Sequence, residues 1–295
     1  MLKKLRHLSE YALLRPVLFL FVHLPIAAVE GPMAGLAGLW YRCHASRRRT
    51  ACENIERAGI ATDPKEIDRI ARESFRHFGI MVIECMRASR LLADDTWADY
   101  VKLDASPAAL EILSDPEQAV ILTTGHIGNW ELGASAVSFM KPVTTVVRPM
   151  DNPYVDTLMH RRDAGHRTSV PKYDISKTRF LTVLRNKQAL GIVIDQHTHT
   201  GSMLVDFFGV PAHTQTSHAR LHRVMGTPII FLACIRTGVM SYTLHIPPPV
   251  IHKKTKNKEH DTKVVLEQCN RLLEEAIRRN PEQYLWAHRR WKDVP

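Results

Sequence analysis

The chain has 295 residues with 45% apolar content, ordinary for a globular protein and enough for a core in two domains or one large α/β domain with an appendage. A net charge of +10 points to acidic partners: nucleic acid, anionic lipid or an acidic protein. Five scattered cysteines without a CxxC pair argue against a disulfide framework and fit a reducing compartment.

The stretch "YALLRPVLFLFVHLPIAAVEGPMAGLAGLWYRC" (11–43) holds only Arg15, Glu30 and Arg42 as charged residues. No small-residue cleavage site follows its apolar core, so a retained anchor is expected rather than a removed signal peptide. The run from Pro16 to Val29 is short for a span, and Pro25 and Pro32 are expected to break it. Basic residues flank both ends: Lys3, Lys4 and Arg6 before, Arg42 and Arg47 to Arg49 after. Residues 1–42 therefore read as a membrane-associated helical segment, spanning or lying in the interface; the alternative is a buried core helix.

Residues 43–295 read as the α/β domain, with 43–100 as a helical lead-in. Residues 43–57 are basic and helical. Asp63-Pro64 starts a helix whose Ile67, Ile70, Phe75, Phe78, Val82, Cys85 and Met86 recur at core-packing spacing. From residue 119, short apolar runs ("AVILTT", "VTTVV", "LGIVID", "IIFLACI", "SYTLHI") alternate with helices after Asn129 and over 153–165, 176–186, 214–225 and 261–279. That alternation predicts a largely parallel sheet flanked by helices. "HKKTKNKEH" reads as a solvated loop.

In such folds, ligands gather where strands end. His126, Arg148 and Asp195 each follow a predicted strand. His126 can take a proton from a hydroxyl if a carboxylate holds its other ring nitrogen, and Glu131, in the first turn of the next helix, is the available carboxylate. Amides around Gly128 and Asn129 are placed to stabilise an oxyanion. The plainer alternative is that His126 or Asn129 caps the helix and Glu131 favours its dipole. His197, His199, His213, His218 and His222 lack zinc-site companions, so no metal is expected. Arg148, Arg161, Arg162 and Arg167 offer phosphate contacts, against a surface-charge reading. Phe207-Phe208 lines a lipid pocket or fills the core. There is no GxSxG elbow, P-loop, GxGxxG fingerprint or nucleic-acid recognition module.

In order along the chain, the apolar N-terminus with "RRRTACENIERA", then "GHIGNWE", "RPMDNPYVD", "IDQHTHTGSMLVDFFGVPAHT" and "NPEQYLWAHRRWK" resemble the late acyltransferases of lipid A biosynthesis. The resemblance implies a glycerol-3-phosphate-acyltransferase-like α/β fold at the cytoplasmic face of the inner membrane. It implies transfer of an acyl chain from acyl carrier protein to a hydroxyl of a lipid A precursor of the Kdo-lipid IVA type, without a cofactor. Under it, His126 is the general base and Glu131 its partner. Arg148 and Asp195 fall at the active site, and Arg161, Gly128 and Asn129 join the substrate-binding set. Arg289, Arg290 and Lys292, or the 42–49 cluster, are the candidate docking points for the acidic carrier. Relatives that acylate other glycolipids, such as a phosphatidylinositol mannoside, or that bind lipid without catalysis, are the alternatives.

Overall fold

A computed structural model describes residues 2–160, 165–171, 177–198 and 200–294. The chain opens with helices α1 (Leu2–His23), α2 (Ile26–Cys43), α3 (Ala45–Arg57), α4 (Pro64–Leu91) and a single turn, α5 (Trp97–Tyr100). Pro25 stands at the N-cap of α2, so the break between α1 and α2 falls at one of the expected prolines. Pro32 does not break the helix: it lies inside α2. A proline inside a helix loses one backbone bond, and here tertiary packing outweighs it. Gly79 of α4 lets α2 approach closely, since a Cβ there would stand 2.9 Å from the Ala37 Cβ.

The α1 C-terminus is held by α4, whose Arg87 donates to the carbonyls of Phe21 and Leu24; these are carbonyls a helix end leaves unpaired. Helix α4 itself begins as read, with the Asp63 side chain accepting from the Lys65 amide and Pro64 in the first turn. Its buried stripe includes Ile67, Ile70, Phe75, Cys85 and Met86. It also carries a fully buried carboxylate, Glu84, bonded by Arg236 at 2.9 Å and by the Tyr242 hydroxyl. Arg236 reaches on to Glu30 of α2 at 3.0 Å, tying the N-terminal helices to the body.

The remainder runs β1 (Val101–Ala105), α6 (Pro107–Ser114), β2 (Val120–Thr124), α7 (Trp130–Ser138), β3 (Val143–Val147), α8 (Pro153–His160), β4 (Arg167–Pro171), α9 (Lys177–Arg185), β5 (Ala189–Val193), β6 (Ser202–Phe207), β7 (Val210–Gln215), α10 (Ser217–Met225), β8 (Ile229–Phe231), β9 (Ala233–Gly238), β10 (Ser241–Ile246) and α11 (Lys258–Arg279). Five strands form an all-parallel sheet in the order β4-β3-β5-β2-β8. The β1-β10-β9 sheet is mixed, and β6-β7 is a hairpin. Successive strand residues point to opposite faces, so Val120 and Leu122 of β2 share one core cluster with residues of α7, whereas Ile121 shares the other with residues of α11.

The run "IIFLACI" is two strands rather than one: β8 closes the parallel sheet, and β9 turns away to pair with β10. Strands β1, β4, β6 and β7 went unread because none carries an apolar run longer than three residues. The 214–225 helix starts later, at Ser217, because β7 occupies 210–215. Phe208 and Gly209, both with positive φ, form the two-residue β6-β7 turn. Phe207 and Phe208 are core: buried, and packed toward Trp291 and Trp286 respectively.

Candidate active site

Strands β3, β5 and β2 lie side by side, so their C-terminal ends bring Arg148, Asp195 and His126 to one edge of the sheet. Thr124 of β2 is in register with Val193 of β5. Two residues past each strand, His126 therefore meets Asp195. One carboxylate oxygen accepts the His126 backbone amide at 2.8 Å, and the other faces Nδ1 at 2.7 Å. An ionised carboxylate only accepts, so Nδ1 carries the ring proton and Nε2 keeps its lone pair. Nε2 faces the exposed Gln196 amide at 3.2 Å, on the solvent side of the pair.

The carboxylate at the imidazole is thus Asp195, a correction to the expectation for Glu131. Glu131 does fall in the first turn of α7, but that turn packs over β3 and β4. There Arg167 of β4 claims it, donating to its side chain and, at 2.9 Å, to its carbonyl. Arg167 is buried, which removes it from the proposed phosphate contacts. Glu131 still acts on His126 through its charge. Burial opposes a charged His126 ring; the Asp195 charge, its hydrogen bond and the Glu131 charge together outweigh that and raise its pKa above the ordinary imidazole value. Burial also opposes the Asp195 charge, and His126 with the Arg290 guanidinium overcomes it, holding Asp195 well below the usual range.

Gly128 and Asn129 do not present free amides. The Gly128 amide donates to the Gln283 carbonyl at 2.9 Å and the Asn129 amide to the Cys234 carbonyl at 2.7 Å. Asn129 is the helix cap, its Oδ1 accepting from the Leu132 amide at 3.0 Å and from the Cys85 thiol at 3.2 Å. These two residues hold the loop in place instead of binding an anion. His77 donates to the Gly128 carbonyl at 3.0 Å, and burial lowers its pKa to about 4, so it is neutral.

Arg148 is exposed at the end of β3. Arg161, Arg162 and His199 lie outside the described residues. Of the other histidines, His197 and His213 meet edge to face, and His222 faces the Thr227 carbonyl at 2.7 Å. Among the described residues no group of three or more His, Cys, Asp or Glu is placed to hold a metal ion.

Sequence reasoning missed the floor of the site. Tyr284 and Arg290, both buried, lie beside Asp195, and Trp130 sets its ring edge-on to His126 at 4.8 Å. Arg290 donates to the His213 carbonyl and to Thr214, so it is not a surface docking residue. The signal was the closing motif "NPEQYLWAHRRWK", whose Leu285 amide bonds the His126 carbonyl at 3.0 Å. Beside the site, α2, α4 and Leu285-Ala287 enclose an apolar groove of about 360 Å³ lined by residues including Met33, Trp40, Phe75, Phe78 and Val82. Phe78 packs on Trp130, which packs on His126, so a single ring, Trp130, stands between the groove's lining and the imidazole.

A family model described as "Bacterial lipid A biosynthesis acyltransferase" matches residues 1–293. The chain is 26% identical to a lipid A biosynthesis palmitoleoyltransferase of Escherichia coli (strain K12) over 289 residues, covering 95% of this chain and 90% of that one. It is 24% identical to the lauroyltransferase of the same organism, with the same coverage. Identity to a lipid A biosynthesis acyltransferase of Haemophilus influenzae is 26%, over 88% of this chain and 83% of the relative. A solved 1-acyl-sn-glycerophosphate acyltransferase from Thermotoga maritima aligns over 84% of this chain and 96% of its own, with a TM-score of 0.37 and 13% identity. The chain belongs to the bacterial lipid A biosynthesis acyltransferase family and is an O-acyltransferase.

Proposed function

We propose that the protein transfers a fatty acyl chain from acyl carrier protein to a hydroxyl of a lipid A precursor of the Kdo-lipid IVA type, at the cytoplasmic face of the inner membrane. The observation that carries this reading is the His126 ring held by the buried Asp195 carboxylate, with an apolar groove on the far side of Trp130. With Nδ1–H held by Asp195, Nε2 takes the proton from the acceptor hydroxyl as its oxygen attacks the thioester carbonyl. The tetrahedral intermediate collapses, the C–S bond breaks, and the imidazolium returns the proton to the leaving thiolate. No covalent enzyme intermediate is required, because the thioester is already activated. Glu131, steadied by Arg167, adds to the stabilisation of the imidazolium. Arg148 and Arg161 are assigned to the acceptor's phosphates. Purified protein given acyl carrier thioester and precursor is expected to add the mass of one acyl group, read by mass spectrometry. Hydrolysis of the thioester without product would overturn this reading.

The groove suits the acyl chain because its walls are almost wholly apolar. Val82 lines it and is 43% exposed, so a larger side chain there fills space without disturbing the core. Val82→Trp is expected to slow transfer from long-chain donors at least fivefold relative to short-chain ones. An unchanged chain-length profile in competition assays would place the acyl chain elsewhere.

No helix among the described residues is long and apolar enough to cross a membrane. The exposed Leu13, Phe19, Leu20, Leu36, Leu39 and Trp40 on α1 and α2 instead support attachment within the interface, with basic flanks on anionic head groups. Changing Leu13, Phe19 and Leu20 to glutamine is expected to release the protein from anionic vesicles in flotation assays. Binding that persists undiminished would move the attachment surface off α1.

A further inference from the structure

Positive charge gathers where α3 meets the C-terminal segment. Helix α3 is pinned to the C-terminal segment: Asn54 donates to the carbonyls of Trp286 and His288 at 2.8 and 2.7 Å, and Arg47 to that of Ala287 at 3.1 Å. Between them opens a cleft of about 770 Å³. Four exposed cations line it, Arg49 and Arg57 from α3 and Arg289 and Lys292 from the C-terminus, against two carboxylates, Glu53 and Glu56. The hydroxyls of Ser46 and Thr50 complete a polar wall.

The same short segment connects this cleft to the chemistry. Leu285 bonds the His126 carbonyl, Ala287 lines the apolar groove, and Arg289 lines the cleft. Four residue steps span at most about 14 Å, so the three places lie close enough together for one donor to reach all of them. We propose that this cleft docks the acidic body of the carrier protein while its acyl chain lies in the groove and its thioester at His126. This rests on the carrier-donor reading above. A concave polar cleft admits an acidic helix, whereas a bilayer surface lies flat. None of the exposed large apolar side chains lines the cleft; on α1 and α2 they lie elsewhere. Complementary charge at such a place governs encounter and donor KM more than turnover.

The test is an Arg57→Glu/Arg289→Glu variant of the full chain in detergent micelles, assayed with the acyl group on the carrier protein and, separately, on uncharged pantetheine. The carrier donor's KM is expected to rise at least tenfold at low salt with kcat nearly unchanged, and the gap to wild type should narrow as salt rises. KM for acyl-pantetheine should stay within twofold. An Arg57→Gln/Arg289→Gln pair should show a smaller rise of the same kind, and fluorescence anisotropy of labelled carrier should report the same loss of binding. Equal effects on both donors, or none on either, would overturn docking at this cleft. Loss of vesicle binding with an unchanged carrier KM would assign the cleft to lipid and likewise overturn it. If the wild-type protein uses acyl-pantetheine but not the carrier thioester, the donor reading itself fails, and docking with it.

Discussion

His126→Ala is expected to lower kcat by about 10²–10⁴-fold, the usual cost of removing a general base, while the protein remains folded. His126 lies in a loop, and Asp195 keeps the backbone amide at position 126 and the Arg290 charge as partners when the ring is removed. Asp195→Asn is expected to cost a similar order and to do something a structural residue would not: move the acid limb of the rate profile. The base must be neutral to act, so activity falls as pH drops through the His126 pKa. In the wild type that pKa is raised against burial by Asp195 and Glu131, placing the limb above the ordinary imidazole value. Without the Asp195 charge, burial acts with less opposition and the limb shifts to lower pH, even as the maximal rate falls. Glu131→Gln should shift it in the same direction but by less, because Glu131 acts only through its charge. A kcat/KM profile for each variant decides the matter. An Asp195→Asn limb that stays in place, or moves alkaline, would remove Asp195 from the role of orienting carboxylate; retained activity in His126→Ala would remove the base.

The residues of the site were legible in the sequence further than their pairing was. Strand ends could be read from short apolar runs, and three of them carried His126, Arg148 and Asp195; the parallel sheet then brings these to one edge. Which carboxylate meets the imidazole depends on strand order. Nothing in the local spacing of His126 and Glu131 reveals that β5 neighbours β2, or that Arg167 on β4 waits beneath α7. The same limit hid Arg290. Its neighbours Arg289 and Lys292 are exposed, and a basic triplet at a chain end reads as surface until the fold packs its middle member over Phe207. The hairpin of β6 and β7 escaped because polar residues cut its apolar runs to three residues or fewer. The N-terminal helices were legible as apolar composition, but the break between them at Pro25 and the way Arg87 holds the end of the first needed the fold.

Gly128→Ala is expected to destabilise the protein by on the order of 3–5 kcal/mol, in the range reserved for core defects and a large share of the ~5–15 kcal/mol that holds a domain folded. Two effects add. Gly128 has φ +57, a conformation that costs a residue with a Cβ about 1–2 kcal/mol. A Cβ there would also stand 2.0 Å from the Cys234 carbonyl oxygen, a backbone atom with no free rotation to escape by. That carbonyl accepts the Asn129 amide, and Asn129 caps α7, so any retreat of Cys234 loosens the cap and the loop that carries His126. Gly59 supplies the control: its φ is +60, yet nothing lies within 4 Å of a Cβ built on it. Gly59→Ala should therefore show only the conformational part. Denaturant unfolding of both variants separates the terms, and a Gly128→Ala cost no larger than that of Gly59→Ala would sink the packing argument.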